Sequence, residues 1–272
     1  MESYETPVDE VLQPTEEELS HSDKMIGVFT EPDNTYTKIS KYPPKTIDWL
    51  LPITILLLVV ALTQILVMSN EEIYFQIKEK QRAETEKMFN DMVEKGQITR
   101  EQADQQMEMI EERMDMGRGP GGMALMVISI FFIGFLMFFI VTGVYFLLSR
   151  FVLKGIGTYK SSLVANGLTS YIAIISVILA AILSYAFSRQ MMDISVASLI
   201  NADKTTFAGF ALGKLDIFSI WVYIVLSIGL ARMFKSDSKG KYYVMVFSLW
   251  IIWSFITFFI AKSVPFLSFL NR

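Results

Sequence analysis

The 272-residue chain contains no cysteine and a single histidine, His21. The absence of cysteine excludes disulfides, thiolate metal sites, a lipoprotein anchor and palmitoylation. A lone histidine in a polar stretch supplies neither a zinc ligand set nor a Ser-His-Asp arrangement. We therefore expect no metal site, no cofactor and no enzymatic activity.

Ionisable side chains are also missing from the middle of the long apolar runs. Those nearest to the membrane, Asp48, Asp216 and Lys262, all lie at the ends of runs. Because charge within the membrane usually marks a proton or ion pathway, this absence argues against a proton-coupled transporter or pump. A passive pore or a lipid-moving groove stays open.

Apolar residues, by contrast, are abundant and continuous. They make up 52% of the sequence, the mean hydropathy is +0.41, and the runs are long enough to cross a hydrocarbon core of about 30 Å as helices. Runs without alternation favour helices over barrel strands. The sequence predicts an all-α, polytopic bundle with five transmembrane spans, at about residues 47–68, 123–149, 163–187, 217–233 and 242–261.

The short loops carry a Lys/Arg bias that predicts orientation. Arg150, Lys154 and Lys160 lie between spans two and three, and Arg232 and Lys235 lie at the end of span four. We predict that these five contact lipid headgroups at the inner face. The N-terminus is then cytosolic and the tail at residues 265–272 extracytoplasmic. The net charge of −4 lies mainly in the N-terminal tail and the first loop, so no nucleic-acid partner is expected.

The stretch KGIGTYK, residues 154–160, combines glycines with basic groups. A phosphate-cradling loop needs a preceding strand and a following G-K-[ST], and both are missing here. The stretch is typical of a tight turn between two spans, with its basic residues at headgroups.

The N-terminal 46 residues contain no cleavable signal peptide, so we expect span one to direct insertion. Residues 1–24 are acidic and poor in large apolar groups, which predicts a disordered cytosolic tail. Residues 25–46 contain aromatic residues, turn pairs and lysines. They are interpreted as a juxtamembrane segment that lies against the bilayer surface.

The loop at residues 69–122 predicts a helical hairpin outside the cytosol. Thr99 and Gln102 have the spacing of a capping box. An apolar stripe at helical spacing follows, formed by Ala103, Met107, Ile110 and Met114. A second stripe, formed by Met88, Phe89 and Met92, is predicted to face it. Clustered thioethers could bind Cu(I), but the spacing favours packing.

Small residues recur along span three, for example Ser176, Ala180, Ser184 and Ser188 at every fourth position. Small residues let helix backbones approach closely, so this span is predicted to lie centrally. The alternative is a water-lined path of hydroxyls, which would line a membrane-open groove at Ser176, Ser184, Thr169 and Asn166.

Asp216 immediately precedes span four. The span is about 25 Å long at 1.5 Å per residue, slightly short of the core, so Asp216 is drawn to the outer interface. There it is predicted to cap the helix. Lys262 ends span five at the same depth and is the predicted partner of Asp216 within about 8 Å, with Arg189 as the substitute. These three residues form the candidate functional cluster at the outer face.

Three stretches resemble the Yip membrane proteins, which are Ypt/Rab-GTPase-interacting proteins with bacterial relatives. They are GVFTEPDNTYTKI leading to IDWLLP, YFLLSRFVLKGIGTYKSSL, and LDIFSIWVYIVLSIGLARMFK followed by KGKYYVMVFSLWIIW. The resemblance covers about residues 26–264, leaving out the long hairpin. It implies a five-span bundle with a cytosolic N-terminus. The acidic tail and the hairpin look bacterial, so GTPase binding is not carried over.

We therefore expect a non-enzymatic protein of a bacterial cytoplasmic membrane. It would organise the membrane or bind a membrane-protein partner or a second copy, through the hairpin and the segment at residues 25–45. The competing class is transport: a lipid scramblase, a passive channel or a permease subunit.

Overall fold

The computed structural model describes residues 17–263, with side chains as far as Ala261. Within these residues the chain is helical, without strands. The helices are α1 (His21–Thr30), α2 (Pro32–Ile39), α3 (Ile47–Ser69), α4 (Glu71–Glu94), α5 (Arg100–Gly117), α6 (Pro120–Leu147), α7 (Tyr159–Ala186), α8 (Val196–Leu199), α9 (Phe207–Gly213), α10 (Ile217–Met233) and α11 (Lys239–Ser263). A π-helical turn, Leu148–Val152, follows α6.

Four of these helices, α3, α6, α7 and α11, are long and apolar enough to cross a membrane. Helices α9 and α10 are bent by 57° at a short break and would provide a fifth span if taken together. The all-helical prediction is confirmed, with four to five candidate spans. The bounds of α10 match the prediction, whereas α6 ends in the unpredicted π-helical turn.

Helix α7 occupies the centre of the bundle, as its small residues predicted. It packs against α3, α6 and α10. A Cβ built on Gly167 would lie 2.5 Å from Cα of Trp49, so α3 and α7 cross with their backbones nearly touching. Helices α6 and α11 lie at the periphery, where Phe132 and Trp253 are 69% and 63% exposed. These side chains suit contact with lipid.

The connections separate into two ends of the bundle. The N-terminal end carries α1, α2 and the turns after α6 and α10, which are joined by the hydrogen bond from Ile156 N to Phe234 O, at 2.9 Å. The hairpin end carries α4, α5 and residues 187–216, joined by Ser188 Oγ to Glu72 at 2.9 Å. This grouping agrees with the predicted order of crossings. The side that faces the cytosol stays a prediction.

The N-terminal segment differs from its prediction. Residues 1–16 of the predicted disordered tail lie outside the described residues, but Ser20 forms a capping box with Asp23 and starts α1. The segment at residues 25–46 packs against helices of the bundle, rather than only lying against a bilayer surface. Helix α2 packs on α10 and α1 on α7, and Val28 and Tyr36 have no exposed surface. Apolar packing partners from distant helices hold it in place.

Helices α4 and α5 form the predicted helical hairpin. Thr99 and Gln102 make the expected capping box. Phe89 and Ala103 of the two predicted stripes are buried, and Tyr74 donates a hydrogen bond to the Met114 carbonyl across the hairpin at 3.1 Å. The location of the hairpin outside the cytosol stays a prediction.

Candidate functional site

A chain of polar contacts at the N-terminal end joins α1 to α3 and α7. Lys24 Nζ lies 2.6 Å from Asp48 Oδ2. His21 Nδ1 lies 3.1 Å from Asp48 Oδ1, and His21 Nε2 lies 2.7 Å from the Tyr171 hydroxyl. Lys24 and Asp48 are 3% and 1% exposed. The sequence therefore places a buried ion pair in direct contact with its only histidine.

Local sequence explains how α1 presents these groups. The Ser20–Asp23 capping box starts the helix, and His21 and Lys24, three residues apart, share one face of it. Asp48 lies in the first turn of α3, where the helix dipole favours a negative charge. The α3 dipole therefore favours the Asp48 carboxylate, and the Ser20–Asp23 capping box fixes where α1 begins.

Glu18 extends this network towards the surface. Its carboxylate lies 3.4 Å from Lys24 Nζ and 2.7 Å from Lys45 Nζ. The hydrogen bond from Lys45 lowers the pKa of Glu18 below its ordinary value. Glu18 therefore links α1 to the residues that lead into α3.

The arrangement suits fastening rather than reaction chemistry. A neutral imidazole satisfies both of its contacts if Nδ1–H donates to Asp48 and Nε2 accepts from the Tyr171 hydroxyl. Asp48 is then bound by both His21 and Lys24. The expectation that His21 lies isolated in a polar tail is wrong, because its partners come from distant parts of the chain. Within residues 17–261, no group of three or more His, Asp or Glu side chains is placed to hold a metal ion.

A second ion cluster fastens α2 to α10 and α11. Arg232 donates to both carboxylate oxygens of Asp33, at 2.8 and 2.9 Å, and Lys239 Nζ lies 3.2 Å from Asp33 Oδ1. The hydrogen bond from Arg232 lowers the pKa of Asp33. Arg232 thus has an internal partner, since Asp33 binds its guanidinium, and its contact with headgroups stays a prediction.

Tyr36 lies between these two clusters. Its hydroxyl donates to the Ala165 carbonyl on α7 at 2.8 Å. A Cβ built on Gly229 of α10 would lie 2.8 Å from Cζ of Tyr36. The absence of a side chain at Gly229 is therefore what lets the Tyr36 ring pack against α10.

The other predicted headgroup residues lie around the turn after α6. Arg150 Nη1 donates to the Gly155 carbonyl at 3.0 Å. Lys154 and Lys235 adopt left-handed backbone conformations, with φ of 57° and 53°. These three and Lys160 are exposed.

At the hairpin end, Asp216 is buried and caps α10 as predicted. It accepts hydrogen bonds from Phe218 N at 3.0 Å and from Ser219 Oγ at 2.7 Å. Arg189 instead donates to Asn201 Oδ1 at 2.6 Å and to the carbonyls of residues 198 and 199. The side chain of Lys262 lies outside the described residues. Asp216 and Arg189 are held by different partners, so the described residues show no ion pair between these two, and the predicted contact of Asp216 with Lys262 stays a prediction.

The hydroxyl path predicted for transport is occupied by internal hydrogen bonds. Thr169 Oγ1 donates to the Asn166 carbonyl, and the Asn166 amide donates to Thr142 Oγ1 at 2.8 Å. Ser184 Oγ donates to the Ala180 carbonyl and accepts from Met191 N. These contacts give the hydroxyls a structural role between and within helices.

Sequence reasoning missed the roles of Lys24, Asp33 and Tyr171. One signal was available for α1, because Ser20 and Asp23 have capping-box spacing. The pairings themselves leave no local signal, since His21 and Tyr171 are 150 residues apart.

Comparison with known families agrees with the resemblance noted above. The family model described as the Yip1 domain matches residues 26–261. No curated protein and no solved structure matches the chain. The match includes every candidate span and the hairpin, and begins just after His21 and Lys24.

Proposed function

The chain belongs to the Yip1 domain family, and from this membership we propose that it is a non-enzymatic integral membrane protein that binds a partner through the α4–α5 hairpin. The α1–α2 pair, the other predicted contact surface, is largely committed to the bundle. The hairpin is therefore the better candidate for an outside partner.

The observation that supports this proposal is how the hairpin is attached. Two hydrogen bonds that join it to neighbouring elements lie at its base, from Arg118 to the Ser69 carbonyl and from Ser188 to Glu72. Met109 and Met116 are 51% and 60% exposed. Methionine side chains adapt to varied partner surfaces.

The charge of the hairpin indicates the chemistry of its partner. Residues 71–117 carry 13 acidic and 7 basic side chains. An acidic surface speeds and orients encounters with a basic one. We expect a partner, or a second copy of the chain, that presents basic residues beside apolar ones.

Replacing residues 71–117 by a short Gly-Ser linker tests the proposal. Arg118 reaches the Ser69 carbonyl, so the ends to be joined are close. The partner list is measured by cross-linking in membranes and mass spectrometry. A matched control inserts the same linker at Gly96, the tip of the hairpin, and keeps both helices. Partners lost only in the deletion support the proposal, and an unchanged list contradicts it.

Transport remains the alternative class, and liposome flux tests it directly. Purified protein is reconstituted, and lipid scrambling and ion flux are compared with protein-free vesicles. Flux above that background would favour a scramblase, channel or permease subunit over a binding module. The internal bonds of Thr169, Asn166 and Ser184 give no support to a water-lined path along α7.

The proposed location is a bacterial cytoplasmic membrane with the N-terminus inside. Since the chain has no cysteine, a single introduced cysteine reports its own position. We expect Gln97→Cys to react with an impermeant maleimide from outside. Ser238→Cys should react only after permeabilisation. The reverse pattern would invert the topology.

A further inference from the structure

Two groups of cationic side chains at the N-terminal end differ in their ion pairing. Lys24, Lys45, Arg232 and Lys239 are each paired with a carboxylate of the N-terminal segment or of α3. Arg150, Lys154, Lys160 and Lys235 are exposed, and within residues 17–261 the ion pairs include none of them. The second group therefore has positive charge available for an external anion.

Three of these cations flank one rigid unit, which we call the basic junction: Arg150, Lys154 and Lys235. The Ile156 N–H donates to the Phe234 carbonyl at 2.9 Å, which joins the turn after α6 to the end of α10. Arg150 and the Gly155 N–H also fasten this turn internally. A Cβ on Gly155 would lie 2.8 Å from Cβ of Phe234, so the two backbones pack tightly. The backbone segments that carry the two lysines are therefore joined and are not independent loops.

Exposed apolar side chains surround the same junction. Phe151, Val152 and Ile156 are 69%, 65% and 71% exposed. Apolar residues beside cations are typical of the boundary between hydrocarbon and headgroups, where the apolar groups enter the acyl region. This composition therefore favours a position of the junction at the depth of lipid phosphates.

We propose that the basic junction binds the phosphate of an anionic phospholipid in the leaflet at the N-terminal end. The cations supply attraction for the phosphate, and Phe151, Val152 and Ile156 contact the acyl chains. A soluble phosphate would be attracted by the cations, but it has no acyl chain to contact the three apolar side chains. The site uses three of the five basic residues predicted to contact headgroups: it omits Lys160, which lies on α7, and Arg232, which Asp33 neutralises.

Binding of short-chain lipids to the full chain in a neutral detergent tests this site. Dihexanoyl phosphatidylglycerol, dihexanoyl phosphatidylcholine and inorganic phosphate are compared by native mass spectrometry and by thermal stabilisation. We expect phosphatidylglycerol to bind most tightly and to weaken as salt rises. The double variant Lys154→Gln/Lys235→Gln should bind it about thirtyfold more weakly, since each lysine near an anionic surface contributes a factor of about five.

Two further variants separate the site from general charge and from folding. Lys87→Gln/Lys95→Gln makes the same charge change on the hairpin and should bind as the unaltered chain does. Lys154→Arg/Lys235→Arg keeps the charge and should retain binding. Any one of four results would overturn the proposal. These are equal affinity for phosphatidylcholine, full competition by inorganic phosphate, affinity that does not depend on salt, and unchanged affinity in Lys154→Gln/Lys235→Gln.

Discussion

At the N-terminal end, ion pairs fasten the N-terminal segment to separate helices of the bundle, whereas at the hairpin end they lie within one hairpin or loop. Asp33 and Arg232 are 199 residues apart, and the Lys24–Asp48 pair is almost fully buried. Lys78 and Asp115 pair between adjacent helices, and the Asp115 side chain is 60% exposed. The first end therefore depends on the whole bundle, while the second depends mainly on itself.

This difference indicates where the effect of a substitution will extend beyond the substituted residue. A buried pair that loses one partner leaves a charge in a medium that solvates it poorly. An exposed pair that loses one partner leaves a charge in water. We therefore expect large, distributed effects at the N-terminal end and small, local ones at the hairpin end.

Asp48→Asn is expected to have the largest effect. It removes the carboxylate that neutralises Lys24, and Glu18, 3.4 Å from Lys24 Nζ, compensates only in part. The free energy of unfolding should fall by about 3 kcal/mol or more, as measured by denaturant unfolding in mixed micelles. Asp104→Asn, which breaks the exposed Arg100 pair, is the control and should cost less than about 0.5 kcal/mol. If Asp48→Asn and Asp104→Asn lowered the free energy of unfolding equally, the contrast between the two ends would be wrong.

Gly229→Ala comes next. The added Cβ would lie 2.8 Å from Cζ of Tyr36, so the ring must move and its bond to the Ala165 carbonyl weakens. We expect a loss of about 1–3 kcal/mol and faster hydrogen exchange in α2. Gly143→Ala is a matched control, since nothing lies within 4 Å of its added Cβ. Exchange in α2 that stays slow in Gly229→Ala would show that α2 does not need this close approach.

Asp216→Ala probes the hairpin end and should act locally. Loss of the cap leaves the Phe218 N–H without its acceptor and should cost about 1 kcal/mol. Hydrogen exchange should accelerate in the first turn of α10 and stay unchanged in α2. Asp216→Ser keeps a capping oxygen and should recover most of the loss. Faster exchange in α2 would mean that the two ends are coupled.

The pH dependence of the Asp33 cluster should be the smallest effect, because its carboxylate is partly exposed to solvent. Arg232 lowers the pKa of Asp33 below 3.8. A carboxylate with a lowered folded-state pKa stabilises fully above its unfolded pKa and loses that stabilisation as pH falls through the folded value. The unfolding midpoint should therefore drop as pH is lowered from 4 towards 3. Asp33→Asn should show a smaller drop over the same interval; identical profiles would exclude a contribution from Asp33.

Sequence reasoning succeeded where the cause is local. The bounds of α10, the capping role of Asp216 and the Thr99–Gln102 capping box all follow from residues within a few positions of one another. The apolar stripes of α4 and α5 follow from helical spacing. Long apolar runs likewise determine the candidate spans, whatever their neighbours are.

Sequence reasoning failed where contacts between residues distant in sequence determine the structure. No residue near Asp33 in sequence indicates that Arg232 will bind it. The α1–α2 pair contains too few apolar residues to be predicted as part of the core. The position of α9 against α11 likewise involves contacts of Phe207 and Phe210 with Phe255 and Phe258. One sequence does not reveal such tertiary contacts, and they override local preference.

The position of the α1–α2 pair also orders the assembly of the protein during synthesis. Asp33 leaves the ribosome 199 residues before Arg232, an interval of roughly 10–40 s at 5–20 residues per second. Until α10 has been made, Tyr36 lacks the helix whose Gly229 it packs against. Helices α1 and α2 therefore wait for a helix made much later in the chain, and their docking marks the arrival of α10 in the bundle.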